Sequence, residues 1–181
     1  MKVERSAIPD VLLLEPKVFG DPRGFFYESY NRKTFAQATG LDVEFVQDNH
    51  SRSSKNVLRG LHYQVRQAQG KLVRVTAGAI WDVVVDLRRR SASFGRWVGT
   101  RLDAESCRML WVPAGFAHGF LVLSEQAEVQ YKATDYYAPG HERALLWNDP
   151  ALAIAWPLAG VPVMTEKDRH GTPLSGAETF D

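Results

Sequence analysis

The chain has 181 residues, 45% of them hydrophobic, and a net charge of +1. That length supports one domain, residues 1–181, with a sizeable core, and the near-neutral balance excludes a basic footprint for nucleic acid or an anionic membrane. The single cysteine, Cys107, excludes an intrachain disulfide and fits a reducing compartment.

Cys107 lies in an apolar run and reads as a packed residue rather than a nucleophile. Residues 11–14 form the only early apolar run, too short for a signal peptide or a membrane span. The expectation is a soluble, cytoplasmic protein. No repeat, low-complexity tract or linker divides the chain.

Strand signals dominate. Residues 11–14 predict a short apolar strand. Asp21-Pro22-Arg23-Gly24 reads as a turn, followed by an aromatic strand over residues 25–30. A helix is expected next, capped by Asn31, running through residues 33–38 and ended by Gly40. Strands follow over residues 43–47, 57–64 and 72–76. Ala77-Gly78 is a turn before the clearest strand, residues 80–87. Its alternation puts Trp81, Val83, Val85 and Leu87 on one face and Ile80, Asp82, Val84 and Asp86 on the other. Arg88-Arg89-Arg90 reads as a solvated basic loop. Further strands are expected over residues 95–100, 109–112, 119–123 and 128–134. The stretch from Asn148 is rich in Pro and Gly, and residues 165–169 form a short polar helix start. Short strands at close spacing with Gly, Pro and Asp turns predict an all-β sandwich, barrel or jelly roll.

The stretch Val57-Leu58-Arg59-Gly60-Leu61-His62-Tyr63-Gln64 carries a possible base. On a regular strand Arg59, Leu61 and Tyr63 face one way, and Leu58, Gly60, His62 and Gln64 the other. Gly60 would then remove the side chain that crowds His62 and leave room for a ligand. A second stretch, Trp111-Val112-Pro113-Ala114-Gly115-Phe116-Ala117-His118-Gly119, contains Pro-x-Gly-x-x-His. It resembles the second motif of the cupin superfamily, which implies a double-stranded jelly-roll barrel. Metal-binding cupins carry His-x-His and a later Glu in the first motif. Here Gln64 takes the second position, and Ala68 and Gln69 stand near the third. His62 and His118 alone are too few ligands for a stable transition-metal site. No metal is expected.

Six motifs then follow in order: Arg23-Gly24-x-Phe26-x-Glu28, Gln47-Asp48-Asn49-His50-Ser51, Leu58 to Gln64, Gln69-Gly70-Lys71-Leu72-Val73, Pro113 to Phe120, and Glu166-Lys167-Asp168. Together they resemble the dTDP-4-dehydrorhamnose 3,5-epimerase family over nearly the whole chain. The resemblance implies a cupin-like jelly roll with a few short helices. The implied activity converts dTDP-4-dehydro-6-deoxy-D-glucose to dTDP-4-dehydro-L-rhamnose in dTDP-L-rhamnose biosynthesis, with no cofactor. It implies His62 as base with Asp168 behind it, Lys71 near the ketone, and Tyr131 as acid on the opposite sugar face. For substrate binding it points to Arg23, Phe26, Glu28, Gln47, Asn49, Arg59, His118, Glu142 and Lys167 beside Lys71. Arg23 and Arg59 have the guanidinium fork that suits a diphosphate. Asp48 and His50 point away from Gln47 and Asn49 by alternation. Tyr136 and Tyr137 are not favoured as the acid, since they adjoin a turn at Pro139-Gly140. Asp82, a carboxylate on an otherwise apolar face, calls either for a partner in Lys71 or the His62 network or for a partly solvated face. The resemblance also implies a homodimer, with an N-terminal segment reaching the partner's site. The alternatives are a relative acting at C3 or C5 alone, or a sugar ketoisomerase; a non-catalytic sugar binder and a metal-dependent cupin are more distant ones.

Overall fold

A computed structural model describes residues 1–181. Thirteen strands and two α-helices run in the order β1 (Lys2–Arg5), β2 (Leu12–Glu15), β3 (Phe19–Asp21), β4 (Gly24–Phe26), α1 (Arg32–Thr39), β5 (Gln47–Ser54), β6 (Leu58–Gln64), β7 (Lys71–Ala77), β8 (Ala79–Asp86), β9 (Trp97–Asp103), β10 (Met109–Val112), β11 (Phe116–Val122), β12 (Gln126–Ala133), β13 (Glu142–Ala144) and α2 (Glu166–Arg169). Two antiparallel sheets form the body, ordered β1-β2-β10-β7-β12-β5 and β13-β6-β11-β8-β9. Non-consecutive neighbours in both sheets give the interleaved order of a jelly roll.

The strand alternation sorts apolar side chains into three layers. Val73, Val75, Ile80, Val84, Leu110, Phe116, Phe120 and Val129 fill the space between the sheets. Leu61, Tyr63, Val83, Val85, Leu87 and Ala117 form the outer face of the five-stranded sheet, where Leu145, Leu152 and Ala177 of the C-terminal segment cover them. Leu12, Leu14, Leu72, Met109 and Trp111 form the outer face of the six-stranded sheet, closed by Phe35 of α1. The two expected faces of β8 therefore end in separate cores. Cys107 is buried and packed, as expected.

The helix α1 has the ends expected of it. The Asn31 side chain accepts a hydrogen bond from the Thr34 N–H, and Gly40 closes the helix with φ 75°. The aromatic strand is shorter than predicted: β4 ends at Phe26 and pairs only with β3, forming an exposed hairpin. The strand expected over residues 43–47 is displaced, because β5 starts at Gln47 and continues through Ser54. Its residues are all polar, so hydrophobic alternation gives no signal; pairing with β12 from Gln47↔Ala133 to Ser54↔Gln126 defines it instead.

The basic run after β8 is not simply solvated. Arg88 donates to the fully buried Asp86 from its backbone N–H and from Nε at 2.9 Å, and from Nη2 at 2.7 Å. Ser91 and Ser93 each donate a hydroxyl to the same carboxylate at 2.7 Å. Arg88 also meets Asp10 at 2.8 Å and lies over the Phe116 ring at 4.5 Å. Only Arg89 and Arg90 are exposed. Burial pushes the Asp86 carboxyl up, but Arg88, Ser93 and Ser91 outweigh it and bring the pKa from 3.8 to about 2. The contribution of Asp86 to stability is full above 3.8 and is lost as the pH falls toward about 2. Asp86→Ala is expected to cost about 3 kcal/mol in urea unfolding near neutrality, because it removes the shared acceptor of Arg88, Ser91 and Ser93 and leaves Arg88 with Asp10 alone. The gap to the unmutated protein should narrow as the pH falls below about 4. An unchanged midpoint at neutrality, or a gap that widens in acid, would contradict this.

Candidate active site

The two sheets part around a cavity of about 600 Å³. His62 and Arg59 line it from β6, Lys71 from β7, His118 from β11, Tyr131 from β12 and Asp168 from α2. A histidine and a tyrosine thus enter from opposite sheets, one on β6 and one on β12. Asn49 and Lys167 add further polar lining.

The strand β6 is not regular, and the irregularity makes the site. His118 on β11 pairs with His62, but Phe120 pairs with Arg59. Two steps on β11 therefore oppose three on β6, so β6 carries a bulge. Leu61 and Tyr63 still point outward into the covered face. Arg59, expected on their side, instead lines the cavity with His62. Gly60 also has a different reason from the one read in the sequence. It has φ 116°, and a Cβ there would stand 2.5 Å from the Gly119 Cα and 2.8 Å from the His118 carbonyl oxygen. The glycine lets two backbones approach; it does not clear space before His62.

His62 Nε2 meets Asp168 Oδ1 at 2.5 Å. The carboxylate is almost fully buried, whereas the imidazole is partly open to the cavity. Burial pushes the Asp168 carboxyl up, yet the His62 hydrogen bond and charge, the Gly60 N–H and Thr165 together hold it below 3.8. An ionised carboxylate only accepts, so Nε2 carries the hydrogen and Nδ1 is left free as a base. Asp168 is fixed in turn by α2, whose cap Thr165 accepts from the Asp168 N–H at 3.2 Å.

Lys71 is buried and makes no ion pair within 4.0 Å; its Nζ lies 6.0 Å from the Tyr131 ring centroid. Burial pushes the ammonium down to about 8, with Asp82 and Glu142 pulling it back up. Asp82 is fully buried, and its hydrogen-bond partner is neither Lys71 nor the His62 network. His118 Nε2 meets both its oxygens, at 3.0 and 2.9 Å. Burial pushes the Tyr131 phenol above 10.0, with Glu142 adding to the rise. The hydroxyl therefore keeps its proton at neutral pH.

At the rim, the Gln47 amide donates to Asn49 Oδ1 at 3.0 Å, and Gln47 Oε1 accepts from the Tyr137 N–H at 2.9 Å. Asn49 Nδ2 is buried and has no partner. The Tyr137 hydroxyl donates to Glu142 Oε2 at 2.9 Å, and Lys167 Nζ meets the same oxygen. Tyr137 was set aside in the sequence for its place in a turn; the structure ties that turn to Gln47. Asp48 and His50 face away, toward Lys132 and Glu128. Gln64 is turned to the loop beside it, donating to the Gln67 carbonyl oxygen at 2.7 Å and accepting from the Ala138 N–H at 2.8 Å. Of the expected residues, Gln47 and Glu142 reach the cavity only through Asn49 and Lys167, and three more lie away from it. Arg23 binds Asp21 in the exposed hairpin, Phe26 is 72% exposed, and Glu28 accepts from Asn31 and Thr34 at the start of α1. No three His, Cys, Asp or Glu side chains gather as a metal-binding group.

The family model for dTDP-4-dehydrorhamnose 3,5-epimerase matches residues 5–176. A dTDP-4-dehydrorhamnose 3,5-epimerase of Pseudomonas aeruginosa is 63% identical over 180 residues, covering 99% of each chain. This chain belongs to the dTDP-4-dehydrorhamnose 3,5-epimerase family. A family enzyme of Salmonella typhimurium is 60% identical over 98% of this chain and 97% of its own. Among solved structures, a 3,5-epimerase of Legionella pneumophila in complex with dTDP-4-keto-L-rhamnose superposes with a TM-score of 0.96. It is 48% identical, over 98% of this chain and 94% of its own. The jelly roll expected from the family motifs is the fold seen here.

The β6 bulge yields a direct test. Gly60→Ala should lower the urea midpoint by an amount equivalent to about 3 kcal/mol or more, since the new Cβ meets backbone on both counts. A midpoint unchanged from the unmutated protein would show that the close approach to β11 is not what requires glycine.

Proposed function

We propose that the protein catalyses the 3,5-epimerisation of dTDP-4-dehydro-6-deoxy-D-glucose to dTDP-4-dehydro-L-rhamnose. The observation that carries this reading is the pairing of opposed proton carriers. His62, backed by Asp168, enters the cavity from one sheet, and Tyr131 enters from the other.

The C4 ketone of the sugar makes the protons at C3 and C5 acidic, because each loss gives an enolate with charge on O4. His62 Nδ1 takes the proton from carbon and becomes imidazolium, a charge that Asp168 stabilises. The buried Lys71 ammonium lies beside the developing enolate oxygen, where removal of such a donor costs about 10²–10³ in rate. The Tyr131 hydroxyl returns a proton to carbon from the opposite face, which inverts the centre. Solvent restores both groups, and the cycle repeats at the second carbon. The scheme uses side chains alone.

The nucleotide end has matching chemistry. Arg59 and Lys167 supply charge for a diphosphate. Gln47 and the unpartnered Asn49 amide offer hydrogen bonds to a base or ribose, and Tyr137, held beside Gln47, offers an aromatic face. Glu142 orients Lys167 and Tyr137. His118 reaches the sugar from β11. Arg23, Phe26 and Glu28 complete this set in a homodimer, where each hairpin arm reaches the cavity of the partner subunit. Supporting this is the arm itself, which exposes Phe19, Phe25 and Phe26 together, an apolar patch that calls for a cover. No helix is long and apolar enough to cross a membrane; we place the enzyme in the cytoplasm.

The test is incubation with the keto sugar nucleotide in D2O, followed by NMR. Deuterium should enter at both C3 and C5, and His62→Ala should abolish both. Tyr131→Phe should still exchange but invert about 10²–10⁴-fold more slowly. Normal inversion by Tyr131→Phe would remove its role as acid. Deuterium at one carbon only would assign the protein to the single-centre epimerases.

A further inference from the structure

We infer that Asp82 is a positioning residue of the epimerisation: it holds the His118 imidazole in the cavity wall so that Nδ1 faces the sugar. The inference deepens the epimerase reading and rests on it.

Asp82 sits on the interior face of β8 between Ile80 and Val84 and has no exposed surface. A carboxylate so placed is costly without a partner. Its one hydrogen-bond partner is His118 on the neighbouring strand, with Nε2 bridging both oxygens at 3.0 and 2.9 Å. The carboxylate accepts only, so Nε2 must carry a hydrogen. The ring lines the cavity, and Nδ1 has no bond within the protein. Held this way, the ring turns Nδ1 to the cavity, where it can meet a sugar hydroxyl. His118 is also the cross-strand partner of His62. Two His–Asp pairs therefore stand side by side on adjacent strands with opposite tasks. One takes a proton from carbon, and the other grips the oxygen next to it.

The experiment is the D2O exchange assay on Asp82→Asn, which keeps the shape and removes the charge. Exchange at C3 and C5 near pH 7.5 should fall by about tenfold to a hundredfold. In ¹⁵N-histidine NMR, dTDP-glucose should shift the His118 Nδ1 resonance of the unmutated protein but not that of Asp82→Asn. A rate loss with this shift retained in Asp82→Asn is the signature of a merely structural residue and would overturn the inference. A second readout needs no variant. In ¹⁵N-histidine NMR of the unmutated protein, His118 should carry its hydrogen on Nε2, and dTDP-glucose should shift Nδ1. The opposite tautomer would also overturn it. If the unmutated protein exchanges neither carbon, the epimerase reading falls and takes this inference with it. If it exchanges both while Asp82→Asn keeps the ligand-induced Nδ1 shift, this inference alone falls.

Discussion

The hydrogen bond between His62 and Asp168 is the constraint on which the site depends. It spans 106 residues of sequence and joins β6, the strand next to the β13 edge of the five-stranded sheet, to a one-turn helix near the end of the chain. Two conditions make it possible. The C-terminal segment must lie over the outer face of that sheet, where Leu145, Leu152 and Ala177 cover Leu61 and Tyr63. The strand must also turn His62 inward while Leu61 and Tyr63 stay outward, which the bulge at Gly60 allows. The His62 imidazole is thus oriented by the same contacts that close one of the cores.

The second constraint is electrostatic. The interior between the sheets holds Asp82, His118, Lys71 and Asp168, all buried. Groups of this kind persist in an apolar layer only when each has a partner or a function. His118 and Asp82 satisfy one another, as do His62 and Asp168. Lys71 is left without an ion pair, its ammonium pushed down by burial. An unpaired buried cation is poorly solvated, so in the proposed reaction an enolate oxygen formed beside it would be stabilised without solvent reorganisation. The structural contrast is with Asp86. That carboxylate is equally buried but surrounded by donors from Arg88, Ser91 and Ser93, so it has nothing left to offer a ligand.

Local signals in the sequence were legible where local physics decides the outcome. The caps of α1 at Asn31 and Gly40, the two faces of β8 and the short helix after Thr165 all follow from residue type and spacing. The family motifs pointed to His62, Lys71, Tyr131 and Asp168, and the fold brings these four to one cavity. What was illegible is set by pairing between distant strands. Regular alternation misplaced Arg59 because the extra residue in β6 shows only against β11. The polar strand β5 has no apolar period, and its extent is defined by β12. Asp82 announced a need for a partner but not its identity, since His118 lies 36 residues away. Tyr137 looked like part of a plain turn because its tie to Gln47 spans 90 residues. Arg23, Phe26 and Glu28 lie outside the cavity of their own chain.

The account rests on a sugar held between two proton carriers that enter from facing sheets. A crystal structure with a bound thymidine diphosphate hexose tests this most directly. The hexose ring should lie with His62 Nδ1 on one face and the Tyr131 hydroxyl on the other, with O4 toward Lys71. A hexose bound elsewhere, or with both groups on the same face, would contradict it.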